Sequence, residues 1–328
     1  MKKLLSAGLC LSMFLLAGCQ GQPQDTTLTI TDQAGREVTF EEPCQTAASG
    51  YYITTTIMIG LQQQDKLTGI EMKPETRPIY AKAAEEILDL PQLGNKKMFN
   101  VEECAKADPD VVFLPVSLES YVEELEALDI PVVLLEPETA DDFEEAVEII
   151  GKVMGCEDKV DEYKQYEEDL LEKYELDEVE EEPTVYFVGS DLLTCATDDM
   201  YQGEILSYAQ ADNAIDAEGS SWVNIDIETL LAANPDYVFI EAGSLSADDF
   251  KNDARVQEIQ AVQNDHVYVF PSTLETWDTP SLSSCLGKLW AASILHPELV
   301  SMDDVEAEAV AFYEQFYGFT PEAQDLAL

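Results

Sequence analysis

The plainest chemical signal in the sequence is Cys19, which ends the run Leu16-Ala17-Gly18-Cys19. Small residues directly before a cysteine match the lipobox of bacterial lipoproteins, in which the thiol receives a diacylglyceryl group and the preceding leader is removed. We therefore predict that Cys19 is lipidated and becomes the first residue of the mature chain. The alternative is an ordinary secretory signal with a chance cysteine.

The residues before Cys19 have the composition of such a leader. Lys2 and Lys3 precede an apolar run from Leu4 to Leu16, which is shorter than the roughly 20 residues that a transmembrane helix needs. We predict a signal peptide over 1–18 and a polar, lipidated tether over 19–27. The chain is then extracytoplasmic and anchored to the outer face of the cell membrane, on a Gram-positive surface or in a periplasm.

Side chains in predicted loops and at helix starts are the main candidates for ligand contact. Large aromatic rings on loops are better placed to bind a ligand than rings on a helical face. The candidate set is Tyr51, Tyr52, Thr54, Met200, Tyr201, Trp222 and Trp277. The alternative for Tyr51 and Tyr52 is that they cap the core, and Trp290, in an apolar helical segment, is predicted to be core.

Arg77 is the candidate cation of the site. It is one of three arginines in a very acidic chain, and a guanidinium in a loop can pair with a carboxylate or an oxyanion. An ordinary surface ion pair is the alternative. The helix predicted to open at 54–56 adds an N-terminus, where anions and anionic chelates bind.

The charge and the rarity of histidine exclude several functions. The formal net charge is −50, from 67 acidic and 17 basic residues, so the surface repels nucleic acid. Two histidines cannot form a site of several imidazoles for bare zinc or manganese, and we predict no metal site and no cofactor. The cysteines of the mature domain do not suggest a disulfide framework, because none forms a CxxC pair. They are Cys44, Cys104, Cys156, Cys195 and Cys285.

An enzyme is not expected. The sequence has no GxSxG, HExxH, P-loop or GxGxxG motif, and neither His266 nor His296 has a nucleophile near it in sequence. A lipid-anchored enzyme or sensor stays open as a function of a different class.

An internal repeat indicates how the candidates are positioned. Residues 101–114 and 227–240 each read as a short amphipathic helix, a Pro-Asp turn and an apolar strand. Continuous apolar strands are typical of a parallel sheet covered on both faces. The repeat therefore predicts two similar α/β lobes, although helix–turn–strand units are common in any α/β protein.

The remaining patterns place the boundaries of those lobes. A hairpin is predicted from Leu28 to Phe40, and further strands at 67–71, 132–135, 185–188 and 266–270. A helix over 140–154 should stop at Gly155, and a second should run from about Glu157 to Leu176. The predicted domains are an N-terminal lobe over 28–155, a connecting helix over 156–182 and a C-terminal lobe over 183–328.

Several segments together resemble the substrate-binding lipoproteins of ABC importers for iron–siderophore, haem and vitamin B12 complexes. They are residues 31–38, 59–70, both Pro-Asp repeats and 264–271. The resemblance implies an α/β fold of two Rossmann-like lobes, whose parallel central sheets are flanked by helices. It also implies one long connecting helix, a ligand cleft between the lobes, and a membrane permease with its ATPase as partners of a monomeric protein.

A subgroup of that family suggests the ligand. Residues 77–84, 199–202 and 277–280 look like those of iron-complex binders, so the expected ligand is a siderophore or haem-like iron chelate. Molybdate, another oxyanion or cobalamin stays open, because the fold is shared. For docking on the permease, the resemblance implies a carboxylate on each lobe, at Glu119 and at Glu275 or Asp278.

Overall fold

The computed structural model describes residues 27–176, 179, 181–217, 219 and 221–328. The predicted signal peptide and Cys19 lie outside the described residues. None of the helices in the described part is long and apolar enough to span a bilayer.

The chain forms short strands that alternate with helices. The strands are β1 (Leu28–Thr31), β2 (Glu37–Phe40), β3 (Ala47–Ser49), β4 (Leu67–Gly69), β5 (Gly94–Asn95), β6 (Met98–Phe99), β7 (Val111–Pro115), β8 (Val132–Leu135), β9 (Thr184–Val188), β10 (Thr194–Cys195), β11 (Asp212–Asn213), β12 (Val223–Asn224), β13 (Tyr237–Ile240) and β14 (Val267–Val269). The helices are α1 (Tyr52–Gly60), α2 (Pro78–Ala83), α3 (Val101–Ala107), α4 (Val122–Glu126), α5 (Ala140–Met154), α6 (Glu157–Lys173), α7 (Tyr201–Tyr208), α8 (Ile227–Ala233), α9 (Ala247–Asn252), α10 (Gln260–Gln263), α11 (Ser284–Leu295), α12 (Met302–Phe312) and α13 (Ala323–Leu326).

The first lobe is built on a parallel sheet with the strand order β4-β3-β7-β8. Every residue of β7 and β8 is buried, as expected of strands that are covered by helices on both faces. The predicted hairpin β1–β2 forms in the register Leu28 to Phe40. The sequence prediction of a parallel first lobe is confirmed.

The second lobe has a mixed sheet. Its order is β12-β10-β9-β13-β14, with β11 beside β9, and the predicted strands β9, β13 and β14 are parallel. Near one edge, β10 runs antiparallel to both of its neighbours, β9 and β12. The reason is the short turn between β9 and β10, which can join only antiparallel neighbours. Two-residue strands carry no periodic pattern, so the sequence did not predict them.

The repeat predicted from the sequence is present, and it is closer than the sequence suggested. In both copies the helix ends on a left-handed residue, Asp108 with φ 49° and Asn234 with φ 45°. The aspartate of each Pro-Asp turn then binds a threonine at the start of the neighbouring segment. Asp236 accepts from the backbone N–H and the hydroxyl of Thr184 at 3.0 and 2.8 Å.

The equivalent contacts in the first copy are those of Asp110 with Gln45 and Thr46. Asp110 accepts from both backbone N–H groups at 2.8 and 2.9 Å, and its own N–H donates to the Thr46 hydroxyl at 3.0 Å. Each turn therefore fixes the end of its strand against the strand beside it.

Two connections join the lobes. α5 stops at Gly155 as predicted, with Met154 as its last residue and φ 64° at the glycine, and α6 ends at Lys173, three residues before the predicted Leu176. The second connection was not predicted. The segment 313–326, which follows α12, returns to the first lobe, where Asp325 pairs with Lys82 at 2.9 Å. Two separate connections limit how far the lobes can move apart.

We predict that Asp236→Ala lowers the free energy of unfolding by about 1–2 kcal/mol, because it leaves partly buried donors at Thr184 unpaired. Asp110→Ala should cost less, since its bonds are exposed. Urea unfolding measures both values. Asp161→Ala, at an exposed position of α6, is the control, and an equal loss in all three variants would contradict a specific role of the turn.

Candidate functional site

Tyr51 and Tyr52 lie directly after β3 and at the start of α1, at the carboxyl end of the first sheet. Their rings meet edge to face, with centroids 5.3 Å apart. Tyr51 is 2% exposed and belongs to the core, whereas Tyr52 is partly exposed and lines a cavity. Tyr51 is therefore a core residue, which was the alternative for the pair, while contact of Tyr52 with a ligand stays a prediction.

Arg77 lies against Tyr52. Its guanidinium carbon is 4.0 Å from the centre of the Tyr52 ring, a cation–π contact, and its Nε is 3.4 Å from a carboxylate oxygen of Glu71. Glu71 is buried, so this ion pair points inward. Arg77 also lines the cavity beside Tyr52.

A second cation, Lys96, lies over the other ring of the pair. Its Nζ is 4.8 Å from the centre of the Tyr51 ring and 3.4 Å from Glu138. Glu138 and Glu136 follow β8, so they reach the same edge of the sheet as the tyrosines. Burial, with the charge of Glu138, raises the pKa of Glu136. Both cations near the tyrosines therefore already have a carboxylate partner.

The second lobe contributes further carboxyl groups near the tyrosine pair. Glu241 follows β13, while Glu275 and Asp278 lie in the segment after β14. The pKa of Tyr52 is raised, chiefly by burial. The charge of Arg77 opposes this rise, and the charges of Glu138, Asp278 and Glu241 add to it. Groups from both lobes thus act on one tyrosine hydroxyl.

The two acids after β14 have strongly shifted acidities. Burial raises the pKa of Glu275 to about 7, against hydrogen bonds from Ser283, Tyr317 and Tyr313 that lower it. Burial likewise raises the pKa of Asp278 to about 7. Asp278 is 0% exposed, its Oδ2 accepts from the N–H of Ala242 at 2.8 Å, and its Oδ1 has no hydrogen-bond partner.

A cavity of about 130 Å³ lies where the lobes touch. The Ile79 N–H donates to the Leu274 carbonyl across the contact at 3.2 Å. The cavity combines one cation, one carboxyl and several hydroxyls. Its lining is Tyr52, Thr56, Thr76, Arg77, Pro78, Ile79, Ser272, Leu274, Glu275, Thr276, Thr279, Pro280 and Ser281.

The two tryptophans predicted to contact the ligand differ in exposure. Trp222 is partly exposed and covers Gly189, at the carboxyl end of β9, so tightly that any side chain at Gly189 would collide with the indole. Trp277 is 2% exposed, and its indole N–H donates to the Tyr313 hydroxyl at 3.0 Å. Trp222 therefore lies at the edge of the cleft, and Trp277 lies in the core.

The remaining three residues are buried. Met200 occupies the N-cap position of α7 without a capping hydrogen bond from its side chain, and Tyr201 donates its hydroxyl to Ser284. Thr54 is buried in α1 with no partner for its hydroxyl. They are not brought to the cavity beside Arg77. Trp290 is 4% exposed and packs on Phe270, so the prediction that it is core is confirmed.

The carboxylates predicted to dock on a permease differ in accessibility. Glu119 is exposed in the turn after β7, at the same edge of the sheet as the tyrosines. Glu275 is partly buried and accepts from the hydroxyls of Tyr313 and Tyr317 at 3.4 and 3.5 Å. Asp278 is buried. Glu119 is accessible to an arginine of a partner, and docking at Glu119, Glu275 or Asp278 stays a prediction.

Sequence reasoning missed the charged partners of the tyrosines. These partners each lie beyond a strand end: Glu71, Lys96, Glu138 and Glu241. They are hard to single out in the sequence, because it has 67 acidic and 17 basic residues. The sequence did carry a signal at Glu71 and Glu241, because a single charge follows an apolar strand directly at Glu241 and two residues later at Glu71. Lys96 carries no such signal, because it reaches the site from the short hairpin β5–β6.

The described residues offer no obvious resident metal site. Among the residues that the structure describes, no three His, Cys, Asp or Glu side chains lie close enough together to hold a metal ion. The five cysteines described are buried free thiols.

Comparison with known proteins gives a consistent result. A family model described as periplasmic binding protein matches residues 48–274. The molybdate-binding protein MolA of Haemophilus influenzae is 23% identical over 317 residues, which cover 88% of this chain and 90% of MolA. The crystal structure of MolA bound to molybdate aligns with a TM-score of 0.75 at 21% identity, covering 90% of this chain and 99% of that one.

Two further solved structures share the fold. A periplasmic solute binding protein from Veillonella parvula has a TM-score of 0.78 at 21% identity, covering 91% of this chain and 95% of that one. CeuE of Helicobacter pylori, solved as a complex with nickel and histidine, has a TM-score of 0.72 at 19% identity, covering 91% and 97%.

Two α/β lobes around a cleft are the fold of the solute-binding proteins compared above. Since the family model matches most of its length, the chain belongs to the periplasmic binding protein family, in the class that includes siderophore and vitamin B12 binders. Members of the family are the extracytoplasmic components of ABC importers and hand small solutes to a permease with its ATPase. The predicted family and fold are confirmed.

We predict that Asp278→Asn stabilises the protein increasingly as the pH rises. The ordinary pKa of the carboxyl is 3.8 and burial raises it to about 7, so wild-type stability that is present at low pH is lost as the pH rises towards 7. Asparagine avoids this loss, and the variant should gain about 2 kcal/mol between about pH 5 and about pH 8.

Urea unfolding at both pH values measures the gain. Asp161→Asn, at an exposed position of α6, should show no pH-dependent difference from wild type. A flat difference for Asp278→Asn would mean that this carboxyl titrates normally in the folded protein.

Proposed function

We propose that this protein captures an iron chelate of low net charge, a siderophore or haem-like complex, and delivers it to a membrane permease. The observation that carries the proposal is the tyrosine pair after β3. Lys96 lies over Tyr51, and Arg77 lies against Tyr52 in the wall of the cavity. Aromatic rings and guanidinium groups suit the flat or apolar surface of a chelate.

The charge of the cleft supports a ligand of low net charge. Arg77 and Lys96 are each within 3.4 Å of a carboxylate, so neither offers an uncompensated positive charge. The carboxyls of Glu136, Glu241 and Asp278 lie around the same tyrosines, and burial raises the pKa of each. A multiply charged anion would meet repulsion here, whereas a neutral or cationic complex would not.

Delivery would require only a small movement of the lobes. α6 and the returning segment 313–326 both restrict opening, and the lobes already touch at Ile79 and Leu274. A ligand larger than the 130 Å³ cavity would widen the cleft by a limited hinge motion. Glu119 is our proposed contact of the first lobe with the permease.

Molybdate is the second candidate, and two observations favour it. The relative MolA is named for binding molybdate. The cavity is small, and it contains Arg77, whose terminal N–H groups are donors that a tetrahedral oxyanion accepts from, whereas the hydroxyls of Thr56 and Thr76 already donate to backbone carbonyls.

Titration of the purified protein with ligands of different charge separates the candidates. We expect ferrichrome, an uncharged iron–siderophore complex, or haem to change tryptophan fluorescence with a Kd below about 10 μM. Cobalamin and molybdate should bind more weakly. Tyr52→Ala should weaken binding of the iron complex about tenfold, by loss of ring contact.

Tyr174→Ala, a partly exposed tyrosine at the end of α6, is the control and should bind as wild type does. Saturable binding of molybdate alone would replace the iron chelate with the second candidate. Binding of only a bare divalent cation would exclude both.

We further propose that Cys19 carries the lipid anchor, because it ends a lipobox preceded by a short apolar leader. Cys19→Ser should abolish incorporation of radiolabelled palmitate in a bacterial expression host and leave the leader uncleaved by the lipoprotein signal peptidase. The control is Cys44→Ser, a buried thiol that should leave labelling unchanged. Labelling that survives Cys19→Ser would place the anchor elsewhere.

A further inference from the structure

Glu71 lies two residues after β4 and is 4% exposed. Three side chains converge on its carboxylate. Thr55 donates its hydroxyl to Oε2 at 2.7 Å, and Tyr80 donates its hydroxyl to Oε1 at 2.7 Å. The Nε of Arg77 is 3.4 Å from the same Oε1. The carboxylate is therefore anchored from two sides by neutral donors and ion-paired on a third.

Those partners come from the elements that carry the ligand site. Thr55 belongs to α1, which begins with Tyr52, while Tyr80 belongs to α2, which begins after Arg77. Arg77 is consequently held between two surfaces, the Glu71 carboxylate at Nε and the Tyr52 ring at 4.0 Å. A long cationic side chain confined in this way loses little conformational entropy when it meets a ligand.

The contact also decides which part of the guanidinium remains for a ligand. The carboxylate lies at ion-pair distance from Nε, on one side of the guanidinium, so the two terminal nitrogens keep their N–H donors for other acceptors. At the same time a carboxylate at ion-pair distance offsets the attraction of the guanidinium for any second anion. Arg77 can thus donate hydrogen bonds without acting as a strong anion attractor.

We propose that Glu71 is a positioning and specificity-determining residue of the ligand site, holding Arg77 against Tyr52 and neutralising it so that uncharged, oxygen-rich ligands are preferred to anions. The inference rests on the proposed function, because it takes Arg77 as a ligand contact. It goes beyond that function by assigning the choice of ligand charge to a residue that the ligand does not touch.

A purely structural role would look different. If Glu71 only tied α1 to α2, its replacement would have the same effect whether or not residue 77 carried a charge. If Glu71 acts through Arg77, the effect on ligand choice must disappear once Arg77 is replaced. A double-mutant comparison of the two positions separates these possibilities.

The first measurement needs no ligand. The chain has three arginines, Arg36, Arg77 and Arg255, so its arginine Nε–H region contains three ¹H–¹⁵N NMR signals. Arg77→Lys assigns the signal of interest. We expect exchange of the Arg77 Nε–H with water to be at least about tenfold faster in Glu71→Gln than in wild type.

The second measurement is the ratio of the Kd for ferrichrome to the Kd for molybdate. In Glu71→Gln this ratio should rise about tenfold, because an unneutralised guanidinium attracts the anion. In the Arg77→Gln background the same replacement should leave the ratio unchanged. Glu126→Gln is the matched control, since Glu126 pairs with Arg36 at 2.6 Å on the surface of the same lobe.

The outcomes separate this inference from the proposed function. An unchanged Arg77 exchange rate in Glu71→Gln overturns the positioning role, and a ratio that shifts equally with and without Arg77 overturns the specificity role. If neither probe binds wild type, the proposed ligand class is wrong and the exchange rate alone decides the role of Glu71. If Glu71→Gln does not fold, Tyr80→Phe removes one anchor of Oε1 and should accelerate the same exchange more modestly.

Discussion

Parallel pairing of the first-lobe strands is the constraint on which the site depends. Because neighbours in β4-β3-β7-β8 run in one direction, all of their carboxyl ends meet at the same edge. Residues far apart in sequence, such as Tyr52, Glu71 and Glu138, are therefore brought within reach of one another. The turns at Asp110 and Asp236 hold the opposite edge of each sheet and leave this one free for ligand chemistry.

Scarce positive charge is the second constraint. In a chain with 67 acidic and 17 basic residues, a cation in the cleft attracts the carboxylates around it. Arg77 and Lys96 accordingly sit beside Glu71 and Glu138, and the tyrosine rings cover them. What the cleft can offer a solute is then directional hydrogen bonding and ring surface rather than net charge.

The sequence predicted what local patterns determine and missed what long-range packing determines. Helix α5 and its stop at Gly155 follow from spacing and a left-handed glycine, and the two lobes follow from the repeat. Tyr52 and Arg77, which were proposed from their residue types near strand ends, line one cavity. Trp277 looked like a loop aromatic, but its indole N–H found a partner in Tyr313, 36 residues away, which no local pattern encodes.

The returning segment 313–326 has a consequence for how the protein is made. It supplies Asp325 to Lys82 of the first lobe, and Tyr313 to both Trp277 and Glu275 of the second. Neither lobe has its full set of contacts until this segment has been synthesised. Loss of this one segment, by premature termination or by proteolysis, would therefore remove contacts from both lobes at once.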